Sequence, residues 1–210
     1  MPHSNLFFCF HSVPPVYLSV SRHPLFIRIQ VTVGLGAHPT PVRPHLNVIT
    51  FGKSLAGGLP MSALVGRKEI MESLEAPAHL FTTGANPVSC EAALATLEMI
   101  EEEDLLTAAT EKGNYVRQRM NQWMTQFESV GDVRGVGLSI GIDIVSDKEI
   151  KTRDSEAALK ICNYCFEHGV VIIAVAGNVL RFQPPLVITY EQLDKALDII
   201  EEALQALQDG

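Results

Sequence analysis

The apolar residues of this chain change their spacing along it, and each spacing predicts an element. From Leu105 to about Phe127, Val116, Met120, Trp123 and Phe127 recur at steps of three and four, the stripe of an amphipathic helix. Next, Val136, Leu138, Ile140, Ile142 and Ile144 alternate with Gly137, Ser139, Gly141 and Asp143, which predicts one strand with one buried face. A helix is read from about Ser155 to His168, ended by Gly169 as a left-handed C-terminal residue. Strands Val170 to Val175 and Val179 to Phe182 come after it, joined through Gly177-Asn178 as a tight hairpin. Thr189 with Gln192 forms a capping box for a last helix striped by Leu193, Leu197, Ile200, Leu204 and Leu207. The predicted order of helix, strand, helix, hairpin and helix describes a small α+β layer, with antiparallel strands covered by helices.

Upstream, Asn86 and Pro87 pair as N-cap and first-turn proline of a helix carrying Cys90, Ala93, Leu94, Leu97 and Ile100. The acidic run Glu101 to Asp104 marks a surface break. Val48, Ile49, Thr50 and Phe51 form a short β-branched run that reads as a buried strand. Before it the pattern fades. Residues 1 to about 28 hold aromatics, Pro14, Pro15 and Pro24 but no sustained period, so this segment is expected to be poorly structured or foreign to the rest of the chain. Ile27 to Val33 alternates loosely, as a strand ending at Gly34-Leu35-Gly36 would.

Composition sharpens that break. Every acidic residue lies at Glu69 or later, whereas five of the seven histidines fall within the first 45 positions. Over the whole chain, 210 residues at 47% hydrophobic and 19% charged are enough to bury a sizeable core. A formal charge of -8 offers no footprint for a polyanion, so nucleic acid is not an expected partner and small molecules are. No apolar run has the length of a membrane span, and no secretory signal opens the chain, so no membrane partner is expected. Four cysteines, only two of them close together, form no disulfide framework, and the cytoplasm is the expected compartment.

Candidate chemistry centres on Lys53, which comes directly after the Val48 to Phe51 run and Gly52, and precedes Gly57-Gly58. Gly52 lets backbone and ligand approach without a Cβ in the way. A lysine so placed on a rigid element suits covalent attachment to an aldehyde cofactor, since partial burial helps its amine lose a proton. Two other readings stand beside this one. Lys53 could be an exposed lysine after a strand. Alternatively, Gly52-Lys53-Ser54 could end a phosphate-cradling GxxxxGK[ST] loop, although that pattern requires glycine where Asn47 stands. Two decoys carry less. Gly135, Gly137 and Gly141 are spaced GxGxxxG inside an alternating strand, unlike a dinucleotide fingerprint. Cys162 and Cys165 form C-x-x-C on a helix stripe with Ala158 and Ile161, and no second ligand pair stands at zinc spacing, so buried thiols and no metal site are expected.

Four blocks in series, NVITFGKSLAGGLPMSALVG, HLFTTGANPVSCEAALATLEMIEEE, VRGVGLSIGIDI and VLRFQPPLVIT, resemble the class III (ω-type) aminotransferases that use pyridoxal 5'-phosphate. The resemblance runs from near Asn47 to the C-terminus, and APAHLFTT and HGVVIIAVAGNVLRFQPPLVI are most similar to the branch containing the branched-chain amino-acid 2-epimerases. It implies an α/β partial fold type I PLP-transferase. Residues 1–46 would be an atypical segment, 47–104 the C-terminal part of the large cofactor domain, and 105–210 a small α+β domain. It further implies that Lys53 holds the cofactor and shuttles the Cα proton, and that Thr82 reaches the cofactor phosphate of a neighbouring subunit in a homodimer. Gly84-Ala85 departs from the family at this point and leaves Thr82 and Thr83 both open, as does the reading that these residues only cap the helix. Arg181 would pair with a substrate carboxylate through its planar guanidinium, the alternative being an edge-strand surface charge.

The family carries an aspartate facing the pyridine nitrogen where this chain has Ile29, and without that charge the ring is a weaker electron sink. With the composition shift, this leads to the expectation of a truncated gene product or a first segment read from an altered frame. The implied function is amino-group transfer between amino acids or ω-amino acids and keto acids. Racemisation or epimerisation on the same fold, and a catalytically inactive structural or dimerising module, are the alternatives. A P-loop nucleotidase is a more distant one.

Overall fold

The computed structural model describes residues 6–9, 48–73, 75 and 84–209. The strand expected at Ile27 to Val33, the position of Ile29, and Thr82 and Thr83 lie outside these residues. The chain divides into two compact units, one ending at Asp104 and the other resuming at Leu105.

In the first unit, β1 (Leu6–Cys9), β2 (Val48–Phe51) and β3 (Ala63–Arg67) form an antiparallel sheet in the order β1-β3-β2. β1 lies where the periodicity predicts no element. A ladder needs only backbone donors and acceptors at a free edge, and Leu6 to Cys9 pair with Arg67 to Leu64. β2 forms as read, but as an edge strand. Among the described residues it has a neighbour on one side only, and it buries Phe51 to 8% exposure while Val48 stays at 40%. A single 3-10 turn spans Lys53–Ala56, and a short helix α1 spans Lys68–Met71. Helix α2 (Pro87–Glu102) starts where Asn86-Pro87 predicts, with the Asn86 side chain accepting the Val88 N–H at 2.9 Å. Its expected stripe is only partly covered. Ala93 and Ile100 are buried, Cys90 and Leu97 half-buried, and Leu94 exposed, because the 3-10 turn is a small surface to pack against.

The second unit contains α3 (Leu105–Gln126), β4 (Val130–Val136), β5 (Ser139–Asp147), β6 (Thr152–Arg153), α4 (Ser155–Glu167), β7 (Ile173–Val175), β8 (Val179–Phe182) and α5 (Tyr190–Asp209). Its antiparallel sheet runs β4-β5-β8-β7, with β6 added on β5. The single strand expected from Val136 to Ile144 is instead the end of one strand and most of the next. Val136 pairs with Ser139 across Gly137-Leu138, and Gly137 has the positive φ of 55° that a two-residue hairpin turn with glycine in its first central position requires. Apolar alternation survives the turn because Leu138 points into the core with Ile140, Ile142 and Ile144, so sequence periodicity does not see the reversal. The other hairpin closes through three residues, Ala176, Gly177 and Asn178, with Val175 opposite Val179.

Helices α3 and α4 pack on the inner sheet face and α5 packs against both helices. Val116, Met120 and Trp123 on α3, Ala158, Ile161 and Cys165 on α4, and Leu193, Leu197, Ile200 and Leu204 on α5 are at most 1% exposed. Fully burying each large aliphatic of this set contributes about 1.5–3 kcal/mol. The capping box at the start of α5 forms in both directions, Thr189 N–H to Gln192 at 3.0 Å and Gln192 N–H to Thr189 at 3.2 Å. Arg119 on α3 bridges to Glu201 and Asp198 on α5, each at 2.7 Å. Among the described residues, no helix is long and apolar enough to cross a membrane.

Gly113 marks where α3 meets the first hairpin: a Cβ there would overlap the Gly137 carbonyl. Glycine to alanine inside a helix ordinarily gains about 1 kcal/mol, but here the overlap outweighs it, so Gly113→Ala should lose stability on the order of 1–2 kcal/mol. Urea unfolding followed by the fluorescence of Trp123, the one tryptophan of the chain, measures this directly.

Candidate active site

The end of β2 presents Lys53. Phe51 is anchored in the first unit, Gly52 is extended at φ -165°, and the chain then turns sharply, with Lys53 at φ 59°. That is the left-handed region, which costs an L-residue roughly 1–2 kcal/mol. The turn is held at its other end. Gly57, at φ 60°, donates its N–H to the Ser54 carbonyl at 3.1 Å, and Ala56 is 1% exposed. A Cβ on Gly57 would stand 3.6 Å from Thr96 Oγ1 on α2. Thr96 is fixed in turn by its own bond to the Ala92 carbonyl at 2.8 Å. Lys53 is exposed, and among the described residues its ammonium has no ion-pair or hydrogen-bond partner. The partial burial expected for it is absent, whereas the rigid support is present.

The start of α2 was a candidate anion site. Here Asn86 uses much of that capacity itself: its side chain takes the Val88 N–H, its carbonyl takes the Cys90 N–H at 3.0 Å, and Pro87 has none to give. Among the described residues the cap is Asn86.

Arg181 lies in the second unit on β8, between Leu180 and Phe182, which are 0% and 5% exposed and point into the core. The pleat turns Arg181 to the opposite, outer face, where it is exposed. β8 is an inner strand, between β5 and β7, which corrects the alternative of an edge-strand charge. Its cross-strand neighbours are Gly141 and Ile173, so neither offers a charge. Among the described residues Arg181 has no ion pair. Arg134 lies in the same cross-strand row, opposite Gly141 from the β4 side, and is heavily engaged. It donates to both oxygens of Asp143, at 2.6 and 2.8 Å, and to Asp132 at 3.1 Å. The bond to Asp143 holds its guanidinium above the usual arginine range, against partial burial. The periodicity predicts no strand over 130–135, so Asp132 and Arg134 on β4 are not singled out by it, and Asp143 stands there only as a polar position of the predicted strand. The signal that could have found them is a charge at every second position outside the predicted strand's start.

The decoys resolve simply. Gly135, Gly137 and Gly141 lie along the β4–β5 hairpin, away from any strand-to-helix turn. Cys165 is fully buried and Cys162 half-buried on α4, and burial pushes the Cys165 thiol up to about 11. Among the described residues no group of three His, Cys, Asp or Glu is placed to hold a metal ion.

The family model for Aminotransferase class-III matches residues 36–204. Isoleucine 2-epimerase of Lentilactobacillus buchneri is 51% identical over 164 residues, covering 78% of this chain and 36% of the epimerase. The probable 4-aminobutyrate aminotransferase of Bacillus subtilis (strain 168) is 37% identical, covering 76% of this chain and 37% of that enzyme. A solved aminotransferase structure from Bacillus anthracis superposes with a TM-score of 0.69 at 32% identity, covering 76% of this chain and 39% of that one. The chain thus spans little more than a third of the length of these relatives.

Two outcomes test the local geometry. Because glycine relieves the left-handed strain at the cost of some unfolded-state entropy, Lys53→Gly should gain on the order of 0.5–1 kcal/mol, while Lys53→Ala keeps the strain and gains nothing. Thermal midpoints of the two variants decide this; a loss with glycine would contradict the turn. Cys165, neutral and buried, should stay unalkylated by iodoacetamide at pH 8 in the folded chain and react once urea unfolds it, as read by peptide mass spectrometry.

Proposed function

The chain belongs to the class-III aminotransferase family, and from that membership we propose that the protein transfers amino groups between amino acids or ω-amino acids and keto acids with pyridoxal 5'-phosphate. Members of this family are pyridoxal-phosphate enzymes, and the fold is a portion of the fold type I architecture of transaminases. The observation that carries the proposal is Lys53: an exposed amine without a partner among the described residues, on a backbone pinned from both sides. An amine that is to join an aldehyde covalently must be accessible and uncommitted, and Lys53 meets both needs on a backbone held in place.

In this reading Lys53 holds the cofactor, Thr82 or Thr83 takes its phosphate from the neighbouring subunit of a homodimer, and Arg181 takes the substrate carboxylate. When bound, pyridoxal phosphate supplies an electron sink for charge developing at the substrate α-carbon. The rest falls to side chains. Arg181 orients the substrate by a two-pronged contact with its carboxylate. The Lys53 amine, when free, would accept the α-proton and deliver it again. The substrates are amino acids and keto acids as small molecules, and the cytoplasm is the compartment where they meet the enzyme.

Epimerisation is a second reading with an observation in its favour. The chain is 51% identical to an isoleucine 2-epimerase against 37% for the aminotransferase. In that case Lys53 chemistry ends with the proton returned to the opposite face of the α-carbon, and no keto acid is needed. An inactive dimerising module remains the reading favoured by Ile29.

Borohydride reduction of the protein incubated with pyridoxal phosphate should fix a single adduct on the Lys53 peptide, absent in Lys53→Ala. Adducts spread evenly over the lysines, or none, would sink the proposal. Incubation with L-isoleucine alone separates the two reactions: inversion at the α-carbon without keto acid means epimerisation, and dependence on keto acid means transfer.

A further inference from the structure

The outer face of the second unit's sheet carries a row of four register positions, Arg134 on β4, Gly141 on β5, Arg181 on β8 and Ile173 on β7. Two guanidinium groups thus share one face, with a glycine between them. Their situations are opposite. Arg134 is bound by Asp143 and Asp132, whereas Arg181 has no carboxylate among the described residues.

Asp143 could serve either arginine. It lies on β5 opposite Val179, which makes it the diagonal neighbour of Arg181, two residues along β8. Diagonal partners of an antiparallel pair are roughly 7–8 Å apart, within reach of an arginine side chain. Gly141, directly opposite Arg181, puts no side chain in the way. What holds Asp143 away is Arg134, which engages both of its oxygens, at 2.6 and 2.8 Å, on a side chain that is 22% exposed. Elsewhere around Arg181, Ile173 and Val179 are apolar, and Gln183 is turned to Ser139 Oγ at 3.3 Å. Asp143 is therefore the carboxylate best placed to neutralise Arg181 from within the sheet.

Resting on the reading of Arg181 as a carboxylate receptor, we infer that Arg134 is a positioning residue for it: by holding Asp143 and Asp132, Arg134 keeps Arg181 unpaired and open to the ligand carboxylate. The device is competition for one acceptor. Asp143 is the diagonal neighbour of both arginines, and the two-pronged bond it makes with Arg134 satisfies two parallel N–H donors at once, which a single contact with Arg181 does not match. Removing Arg134 frees Asp143 to turn to Arg181, which then meets an incoming carboxylate already half neutralised.

Two measurements on the full 210-residue chain test this. In a thermal-stability cycle, Asp143→Asn and Arg181→Gln should be additive when Arg134 is present and non-additive in the Arg134→Gln background, where the new pair forms. In the second, isovalerate is titrated while the Arg181 Nε–Hε resonance, assigned by its loss in Arg181→Gln, is followed by NMR at constant ionic strength. Arg134→Gln should weaken isovalerate binding about two- to fivefold, the range of an exposed ion pair, and adding Asp143→Asn should restore it. A merely structural role for Arg134 would not be rescued by a second substitution. Additivity in both backgrounds, or an affinity unchanged by Arg134→Gln, overturns the inference and leaves the Arg181 reading intact. A wild-type Arg181 resonance that ignores isovalerate overturns the Arg181 reading itself and the inference with it, an outcome told apart from the first because the stability cycle needs no ligand.

Discussion

Successive residues of a strand must point to opposite faces, and most of the second unit follows from that rule acting on β5 and β8. Burying Leu138, Ile140, Ile142 and Ile144 on one side sends Ser139, Gly141 and Asp143 to the other. Burying Leu180 and Phe182 likewise sends Arg181 outward. A slip of one residue would put a guanidinium and a carboxylate into the hydrocarbon core, at a cost far beyond any pairing gained. Core packing therefore fixes which charges share the outer face and in which order.

Energy and chemistry are separated across this sheet. The inner face holds the stabilising contacts, with three helices closing over it and Trp123, Met120 and Leu197 fully buried. The outer face holds the ion pairs. Exposed pairs such as Arg134–Asp143 contribute at most about 1 kcal/mol each, so their arrangement is free to serve recognition without endangering the fold. That asymmetry lets one arginine be fully engaged and the other left open in the same cross-strand row.

The first unit shows a different economy. Among the described residues its sheet has three strands, β2 leaves Val48 exposed, and the apolar stripe of α2 is only partly buried. Yet the turn bearing Lys53 is closed by a buried Ala56, by Gly57 against Thr96, and by left-handed backbone at both of its ends. Strain at such a position persists only when its surroundings over-determine it.

Local signals in the sequence determined the elements whose stability comes from one continuous apolar stripe or a cap: α3, α4 and α5, the Asn86 cap, the Thr189–Gln192 box and the left-handed Gly169. They also singled out Lys53 and Arg181, since residue type and neighbouring blocks are local information. Local signals missed β4, in which polarity alternates only over Asp132, Val133 and Arg134 before glycine interrupts it, and the turn at Gly137-Leu138, which leaves the apolar period unbroken. Only the tertiary structure decided that β8 is an inner strand, that Gly141 stands between Arg134 and Arg181, and that Asp143 goes to Arg134. Those facts depend on register between strands far apart in sequence, and register is set by packing the whole core at once, which no local run of residues encodes.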